Sequence, residues 1–325
     1  MEAVSPPPNS HNGISAIFPV VAVLSVLSNT LCLLLLPGFI KTRIISIVCL
    51  ICWLLLGNGL LLLNMFIWRG NTRNIPIYSD IVARFWGVFT IAIHMSILCL
   101  TKFIWIISRP APTIKLYDGR RCMNLIDGFL CIGVPLLMLP IDHFRSWGSY
   151  LIIEDLGPRI YIVLSVDSFL IDLIPTGLAS VLSVGYSCMS CYNFWRSTPG
   201  YPGPDSHVEL QHQHRILSTS QRLKYSCMSV VAVCGMLYGT FWLALLYIRI
   251  GLNPQGYDPW YTVNSFMHIN ERDRGVITWT REFLETERQP FAQNIAGFAC
   301  ALPLIGIFLF LWFGLRSEVR KSYME

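Results

Sequence analysis

The chain has 325 residues, of which 54% are hydrophobic, but only 24 are Lys or Arg and 19 are Asp or Glu. These charged residues make up 13% of the sequence, whereas a soluble protein carries about a quarter of its residues charged. The formal net charge of +5 is also small, which argues against a nucleic-acid-binding protein. The composition therefore predicts that lipid surrounds most of the chain.

Seven apolar stretches come close to or exceed the roughly 20 residues that cross a bilayer as a helix. They cover residues 14–36, 44–68, 78–107, 125–142, 160–188, 223–250 and 291–315. The predicted fold class is therefore an all-α membrane protein built as a seven-transmembrane helix bundle. The predicted organisation is a short extracellular tail over residues 1–13, the bundle over 14–315, and a short cytosolic tail over 316–325.

The basic residues predict the orientation of this bundle. Thirteen Lys and Arg flank the spans on one side, whereas the two short loops on the other side hold four. Because cytosolic loops are enriched in Lys and Arg, we expect the N-terminus outside and the C-terminus in the cytosol. All eleven cysteines fall in spans or on the cytosolic side, so no extracellular disulfide is expected.

Enzyme and metal-site signatures are absent from the sequence. It has no HExxH, P-loop or GxSxG motif, and the CxxC of Cys188 and Cys191 has no second pair of ligands. We therefore expect no enzymatic activity, no cofactor and no metal. The seven spans also lack the internal duplication typical of secondary transporters. A bundle with an outer vestibule and a basic inner face is the layout of a signal receptor, with a small-solute transporter as the alternative.

Ionisable residues inside a span are costly in lipid and are therefore candidate functional groups. The deepest are His94 in the third span and Asp167 and Asp172 in the fifth. At 100° per residue the two aspartates lie about 140° apart around a helix, so they do not form a pair. Asp127 lies near the inner interface and is expected to reach water. Amides such as Asn58 are expected to bond between closely packed helices.

Five short motifs follow one another between residues 44 and 323. They are Trp53, Gly57, Asn58, Asn64 and Trp68 in the second span; Asp80 and Ile81 in the third; Gly133, Pro135, Leu136 and Leu137 in the fourth; Glu154, Asp155 and Gly157 in the second outer loop; and Phe313, Gly314, Glu318 and Arg320 after the seventh. With these motifs the chain resembles the fungal lipopeptide mating-pheromone receptors, the a-factor receptor type in class D of the G-protein-coupled receptors.

Two positions depart from that family on the outer side. The family has a Cys before the Asp of helix three and another after its Glu-Asp-x-Gly, and the resemblance implies that these two form a disulfide. Here they are Ser79 and Pro158, so the second outer loop must be held by other contacts. Apolar stretches on both sides of Gly157 and Pro158, over residues 151–163, predict a β-hairpin in this loop. On the inner side, Lys102 stands alone where the family has a basic pair.

The resemblance implies a multi-pass plasma-membrane receptor for a prenylated, methyl-esterified peptide mating pheromone. Its partners would be that peptide, membrane lipid and a heterotrimeric G protein, with no nucleic acid. Activation is expected to open the inner ends of helices five and six. The alternatives are a receptor homologue that does not couple or does not act in mating and, from another class, the small-solute transporter.

Candidate residues fall into three groups. The candidate ligand-binding residues are Asn64, Asp80, His94, Glu154, Asp155, Asp167, Asp172, Trp260 and Trp279. The candidate G-protein-facing residues are Lys102, Arg120, Arg121, Arg215, Arg222 and Lys224. The expected helix-packing residues are Trp53, Asn58, Trp68, Pro135 and Pro175.

Overall fold

The computed structural model describes residues 17–42, 44–108, 116–145, 150–160, 166–196, 219–251, 276–280 and 289–314. These residues are mostly helical. The helices are α1 (Ile17–Thr42), α2 (Ile45–Ile67), α3 (Pro76–Ser108), α4 (Leu116–Gly128), α5 (Val134–Arg145), α6 (Val166–Arg196), α7 (Thr219–Gly251) and α8 (Gln289–Phe313). A π-helical segment, Phe129–Gly133, joins α4 directly to α5.

Apolar helices occupy all seven places at which the sequence predicts a span. Within the described ranges, five are long and apolar enough to cross a membrane: Phe18–Lys41, Ile45–Ile67, Pro76–Ser108, Cys122–Ile141 and Ile171–Arg196. Two shorter apolar stretches, Tyr225–Phe241 and Ala299–Phe313, lie within α7 and α8. Their surfaces are apolar as well: Phe66 and Leu125 are each more than 70% exposed. Side chains of this kind are stable on an outer surface when lipid surrounds it, and the chain is a membrane protein.

Helix α3 lies at the centre of the bundle. It packs against α2, α5, α6 and α7, while α1 packs against α2 and α8. The approach of α2 to α3 is close at Gly57, where a Cβ atom would lie 2.7 Å from the ring of Phe89. Asn58, next in sequence, is fully buried and donates hydrogen bonds to the Ser28 hydroxyl of α1 (3.2 Å) and the Leu54 carbonyl (3.0 Å). A small residue and an amide thus hold three helices together, as expected for association in lipid.

The π-helical segment lies next to Pro135, and the two features are related. Proline has no amide hydrogen, so Pro135 cannot donate to the carbonyl of Cys131, four residues before it. The indole Nε1 of Trp53, on α2, donates to that carbonyl at 3.0 Å. A side chain of a neighbouring helix therefore satisfies the backbone group that the proline leaves free, as a lipid environment requires.

A three-stranded sheet covers one end of the bundle. Strands β1 (Tyr150–Ile153) and β2 (Gly157–Ile160) form an antiparallel hairpin, and β3 (Ile277–Trp279) pairs in parallel with β1, which gives the order β2-β1-β3. We call this the hairpin end, where α2 ends and α3 begins; the other is the opposite end. The strand β3 was not predicted.

The predicted hairpin is present, but the predicted position of its turn is wrong. The turn spans residues 154–156, and Gly157 pairs with Ile153 as the first residue of β2. Asp155, with φ of 65°, supplies the left-handed conformation that a tight turn needs. Pro158 fits in β2 because this strand is at the edge of the sheet, where a missing amide hydrogen breaks no ladder bond.

Candidate functional site

The tip of the hairpin closes the end of α2. The last carbonyls of a helix lack partners within the helix, and here the hairpin supplies one: the Asp155 amide donates to the Trp68 carbonyl at 3.0 Å. In return, the Asp155 carboxylate accepts the amide hydrogen of Gly70 at 3.0 Å. Gly70 has a φ of 62°, which places it in the left-handed conformation common after a helix. The turn and the helix end therefore form one hydrogen-bonded unit.

Gly157 brings the backbone of β2 into direct contact with α2. A Cβ atom at this position would lie 2.9 Å from the Asn64 Cβ and 2.9 Å from the Trp68 ring, and its φ is 77°. Both observations require glycine. Trp68 in turn stacks on Tyr78 of α3, with ring centroids 5.7 Å apart, and the Tyr78 hydroxyl donates to the Asn64 Oδ1 at 3.1 Å. The predicted ligand-binding Asn64 thus lies beneath the hairpin.

Strand β1 is buried on both faces rather than lying on the bundle surface. Leu151 and Ile153 belong to the main core, whereas Tyr150 and Ile152 pack with Trp68. The Tyr150 hydroxyl donates to the Asn74 Oδ1 at 2.7 Å. Burial raises the pKa of Tyr150, so this phenol stays neutral and acts as a donor. The strand is held from both sides.

Strand β2 places a guanidinium against the aromatic part of α3. The Arg159 Cζ lies 3.9 Å above the centroid of the Trp86 ring. Trp86 belongs to a cluster with Phe85 and Phe89, whose ring centroids lie 5.4–5.5 Å apart. Burial lowers the pKa of Arg159 to about 9. The Arg159 Nη2 is buried and has no hydrogen-bond partner among the described residues.

The other predicted ligand-binding residues at this end are dispersed. Asp80 is 42% exposed and forms a two-point ion pair with Arg84, one turn further along α3, at 2.8 and 3.0 Å. Glu154 is half-buried in the hairpin turn. Trp279 belongs to β3, opposite Ile153, but its side chain is outside the described part of the structure. Trp260 lies outside the described residues altogether.

A polar chain crosses the middle of the bundle and joins three helices. The buried His94 of α3 makes a 2.7 Å hydrogen bond through Nδ1 to the Thr90 carbonyl. The carbonyl makes Nδ1 the donor of this bond, and Nε2 faces the Thr240 hydroxyl of α7, 3.5 Å away. The Thr240 hydroxyl lies 3.0 Å from the Ser180 hydroxyl of α6, which donates to the Thr176 carbonyl at 2.8 Å. The sequence predicted His94 but neither of its hydroxyl neighbours.

Of the two predicted ligand-binding aspartates of α6, the structure describes the side chain of Asp172 but not that of Asp167. Asp172 is half-buried, and its carbonyl accepts the Thr176 hydroxyl at 2.6 Å. This places it two helical turns from Ser180, on the same face of α6. Asp167 lies in the first turn of α6, and its side chain is outside the described part. Pro175 lies within this helix and is half-buried.

At the opposite end, Lys102 of α3 forms an ion pair with Asp127 of α4. The side chains are 18% and 10% exposed, so the expectation that Asp127 reaches water is wrong. Its position near an interface suggested exposure, but a lysine on the neighbouring helix replaces water as its partner. Of the other predicted G-protein-facing residues, Arg215 lies outside the described residues. The remaining four are described by backbone alone: Arg120 and Arg121 in α4, and Arg222 and Lys224 in α7.

The cysteines supply no disulfide and no recognisable metal site. All eleven are free, and seven of them have partial or full exposure. Across the described ranges, no group of three or more His, Cys, Asp or Glu side chains is placed to hold a metal ion. The contacts that hold the hairpin are therefore hydrogen bonds and packing rather than covalent bonds.

Comparison with known proteins identifies the family. The family model described as Pheromone A receptor (STE3) matches residues 20–325. The chain is 24% identical over 299 residues to Pheromone receptor 1 of Mycosarcoma maydis, covering 88% of this chain and 77% of the relative. It is 21% identical over 248 residues to Pheromone B beta 1 receptor of Schizophyllum commune, covering 76% of this chain and 45% of the relative.

No solved structure matches the chain. The family match extends over nearly the whole chain, through every helix described above. This is a family of pheromone receptors, not of enzymes. The chain belongs to the STE3 pheromone A receptor family.

Proposed function

We propose that this protein is a seven-transmembrane, G-protein-coupled receptor of the plasma membrane for a prenylated peptide mating pheromone. Membership of the pheromone A receptor family carries the proposal. The hairpin end would face outward and the opposite end the cytosol, in agreement with the thirteen basic residues that flank the spans on one side. The three-stranded sheet would then be an extracellular lid.

Two groups of residues support a ligand that is partly lipid and partly peptide. An isoprenoid chain needs an apolar site, and Phe85, Trp86 and Phe89 form an aromatic cluster below the lid. A peptide needs hydrogen-bonding groups, which the lid and the adjoining helix ends provide. The candidate peptide-binding residues are Asn64, Asp80, His94, Glu154, Asp155, Asp167, Asp172, Trp260 and Trp279.

Signalling requires that the ligand favour one of two arrangements of the helices. The chain from His94 through Thr240 to Ser180 supports a coupling between α3, α6 and α7, since a shift of α7 would break both of its contacts. The active arrangement would open α6 and α7 at the opposite end toward a G protein. The candidate contact residues there are Lys102, Arg120, Arg121, Arg215, Arg222 and Lys224.

The test compares paired synthetic peptides, each ending in a farnesylated cysteine methyl ester or in the same residue without the farnesyl group. The receptor is expressed in yeast cells that lack their own pheromone receptors and carry a G-protein-dependent reporter. We expect at least one farnesylated peptide to activate the reporter and its unfarnesylated twin to be much weaker. Equal responses from both members of every pair would contradict the proposal.

Two further outcomes separate the alternatives. Saturable binding of a farnesylated peptide with no reporter response, even with a promiscuous Gα subunit, would indicate a homologue that does not couple. Solute uptake that Asp172→Asn abolishes, with no peptide binding, would indicate a transporter. In that case Asp80→Asn should leave uptake unchanged, since Asp80 is exposed and paired with Arg84 and a transporter would have no peptide site at the hairpin end.

A further inference from the structure

Arg159 stands out among the charged groups of the hairpin end because it has no counter-ion among the described residues. The described acids near the lid are Asp80, Glu154 and Asp155. Asp80 pairs with Arg84, Asp155 accepts from Gly70, and none of the three forms an ion pair with Arg159. A charge that is removed from water without a partner is costly. A chain that keeps such a group gains something from it, either in holding the lid or in binding another molecule.

The Trp86 ring stabilises the positive charge of the Arg159 guanidinium but accepts no hydrogen bond from it. Contact with the face of an aromatic ring attracts the positive charge. The five N–H groups, however, point outward in the plane of the guanidinium, so a ring lying below that plane cannot accept from them. The buried Nη2 accordingly has no acceptor among the described residues. Packing against Trp86 therefore fixes the orientation of the guanidinium and leaves Nη2 without an acceptor among the described residues.

The position of this guanidinium is informative. Arg159 lies in β2, one of the two edge strands of the sheet, so a molecule that binds along its outer edge breaks no ladder bond. It also lies beside the aromatic cluster of Phe85, Trp86 and Phe89. A molecule whose apolar part occupied that cluster would place its polar part next to the guanidinium.

We propose that Arg159 binds a carboxylate of the peptide ligand, held by two parallel hydrogen bonds from the guanidinium edge. This inference rests on the proposed function, because it assumes a prenylated peptide beneath the lid. A carboxylate matches the geometry of the arginine fork and supplies the counter-ion that Arg159 lacks among the described residues. The carboxylate comes from an acidic side chain of the peptide or from an unesterified C-terminal cysteine.

The experiment measures binding of short synthetic farnesyl-cysteine peptides to detergent-purified receptor. Each sequence is made with an Asp or an Asn at one internal position, and each of these as the free acid and as the methyl ester. We expect peptides with the correctly placed carboxylate to bind roughly ten- to a hundredfold more tightly than their neutral twins. A preference between Asp and Asn identifies a side-chain carboxylate, and a preference between acid and ester identifies the C-terminus.

The variant Arg159→Gln should abolish that preference. Arg159→Glu should reverse it, so that the same sequence made with Lys at the variable position binds more tightly than the Asp version. Arg159→Lys keeps the charge without the fork and should retain part of the preference, which provides a test even if the other variants do not fold. Arg69→Gln is the matched control, because Arg69 is an exposed cation at the same end; its preference should stay as in the unaltered protein.

Two results would overturn the inference, and they can be told apart. A charge preference that persists in Arg159→Gln, or no preference in the unaltered protein despite tight binding, would leave Arg159 with a purely structural role in the lid. The proposed function would survive either result. Failure of every farnesylated peptide to bind would overturn the proposed function together with this inference.

Discussion

At the hairpin end, separate parts of the chain are joined through their main chains, whereas at the opposite end the helices are joined through isolated side chains. The hairpin pairs with β3 by a ladder of main-chain bonds. Its tip bonds to the carbonyl of Trp68, the residue directly after α2, and its second strand packs directly on that helix. Displacing any one of these contacts requires the others to move with it.

The opposite end has links of another kind. Lys102 pairs with Asp127, and the Asn193 amide donates to the Ser108 hydroxyl at 3.1 Å. Each link joins one pair of helices, α3 with α4 and α3 with α6, and each can break without disturbing the other. The contrast suggests that the hairpin end, where a ligand would bind, is rigid. At the opposite end the helices could separate by breaking one side-chain link at a time. The four predictions below test that contrast.

The largest effect is expected from Gly157→Ala. The new Cβ would meet Asn64 and Trp68 at 2.9 Å, in a conformation that disfavours side chains. Overpacking and backbone strain together should cost about 3 kcal/mol. The measurement is the temperature at which half of the detergent-solubilised protein remains monodisperse, and this temperature should fall clearly.

Two other glycines divide this cost into its parts. At Gly70, φ is also positive but a Cβ would meet nothing within 4 Å, so Gly70→Ala reports the backbone strain alone, about 1 kcal/mol. Gly185 in α6 is free of both constraints, and Gly185→Ala should be neutral or slightly stabilising. Equal losses of thermal stability in Gly157→Ala and Gly185→Ala would mean that β2 does not pack closely against α2.

Lys102→Met is expected to have the next largest effect. It leaves Asp127 buried without its counter-ion, which costs about 3 kcal/mol when such a pair is truly buried and somewhat less at the partial exposure seen here. The double variant Lys102→Met and Asp127→Leu removes both charges and should recover most of the thermal stability. A double variant no more stable than the single one would show that the ion pair is not the link between α3 and α4.

The sequence anticipated the helices better than the contacts between them. Continuous apolar stretches predict spans because each helix that crosses the bilayer must be apolar along its whole length, which is visible in one segment of sequence. Pairings between distant residues leave no such periodic signal. Lys102 and Asp127 are 25 positions apart, and neither residue alone indicates the other, so the sequence does not predict their ion pair. His94 was found because a histidine in a span is rare, whereas Thr240 and Ser180 are ordinary span residues.

The hairpin shows the same limit at shorter range. Apolar stretches predict its strands, and the sequence predicts a turn at Gly157 and Pro158 because these residues commonly form turns. In the structure, Gly157 is needed instead for its close approach to α2. The strand β3 is three residues long and pairs with β1 more than 120 positions earlier, and a segment that short has no recognisable period.

Asp155→Ala should have a smaller effect than the first two. It removes the acceptor for the Gly70 amide and places a residue that disfavours positive φ in the turn. The expected cost is about 1–2 kcal/mol. Asp155→Asn keeps an oxygen acceptor and tolerates the left-handed conformation, so it should lose much less thermal stability. Similar losses in both variants would show that the charge of Asp155, rather than its turn geometry, holds the hairpin.

The smallest effect, about 1 kcal/mol, is expected from Trp53→Phe. Phenylalanine keeps an aromatic ring next to Phe85 but removes the hydrogen that Trp53 donates to the Cys131 carbonyl. Replacing Pro135 with Ala restores an amide hydrogen that can reach this carbonyl, so Trp53→Phe should cost less in a Pro135→Ala background. Thermal stabilities of the four proteins in this cycle give the coupling. Strict additivity would mean that the indole packs beside the π-helical segment without satisfying the carbonyl that the proline leaves free.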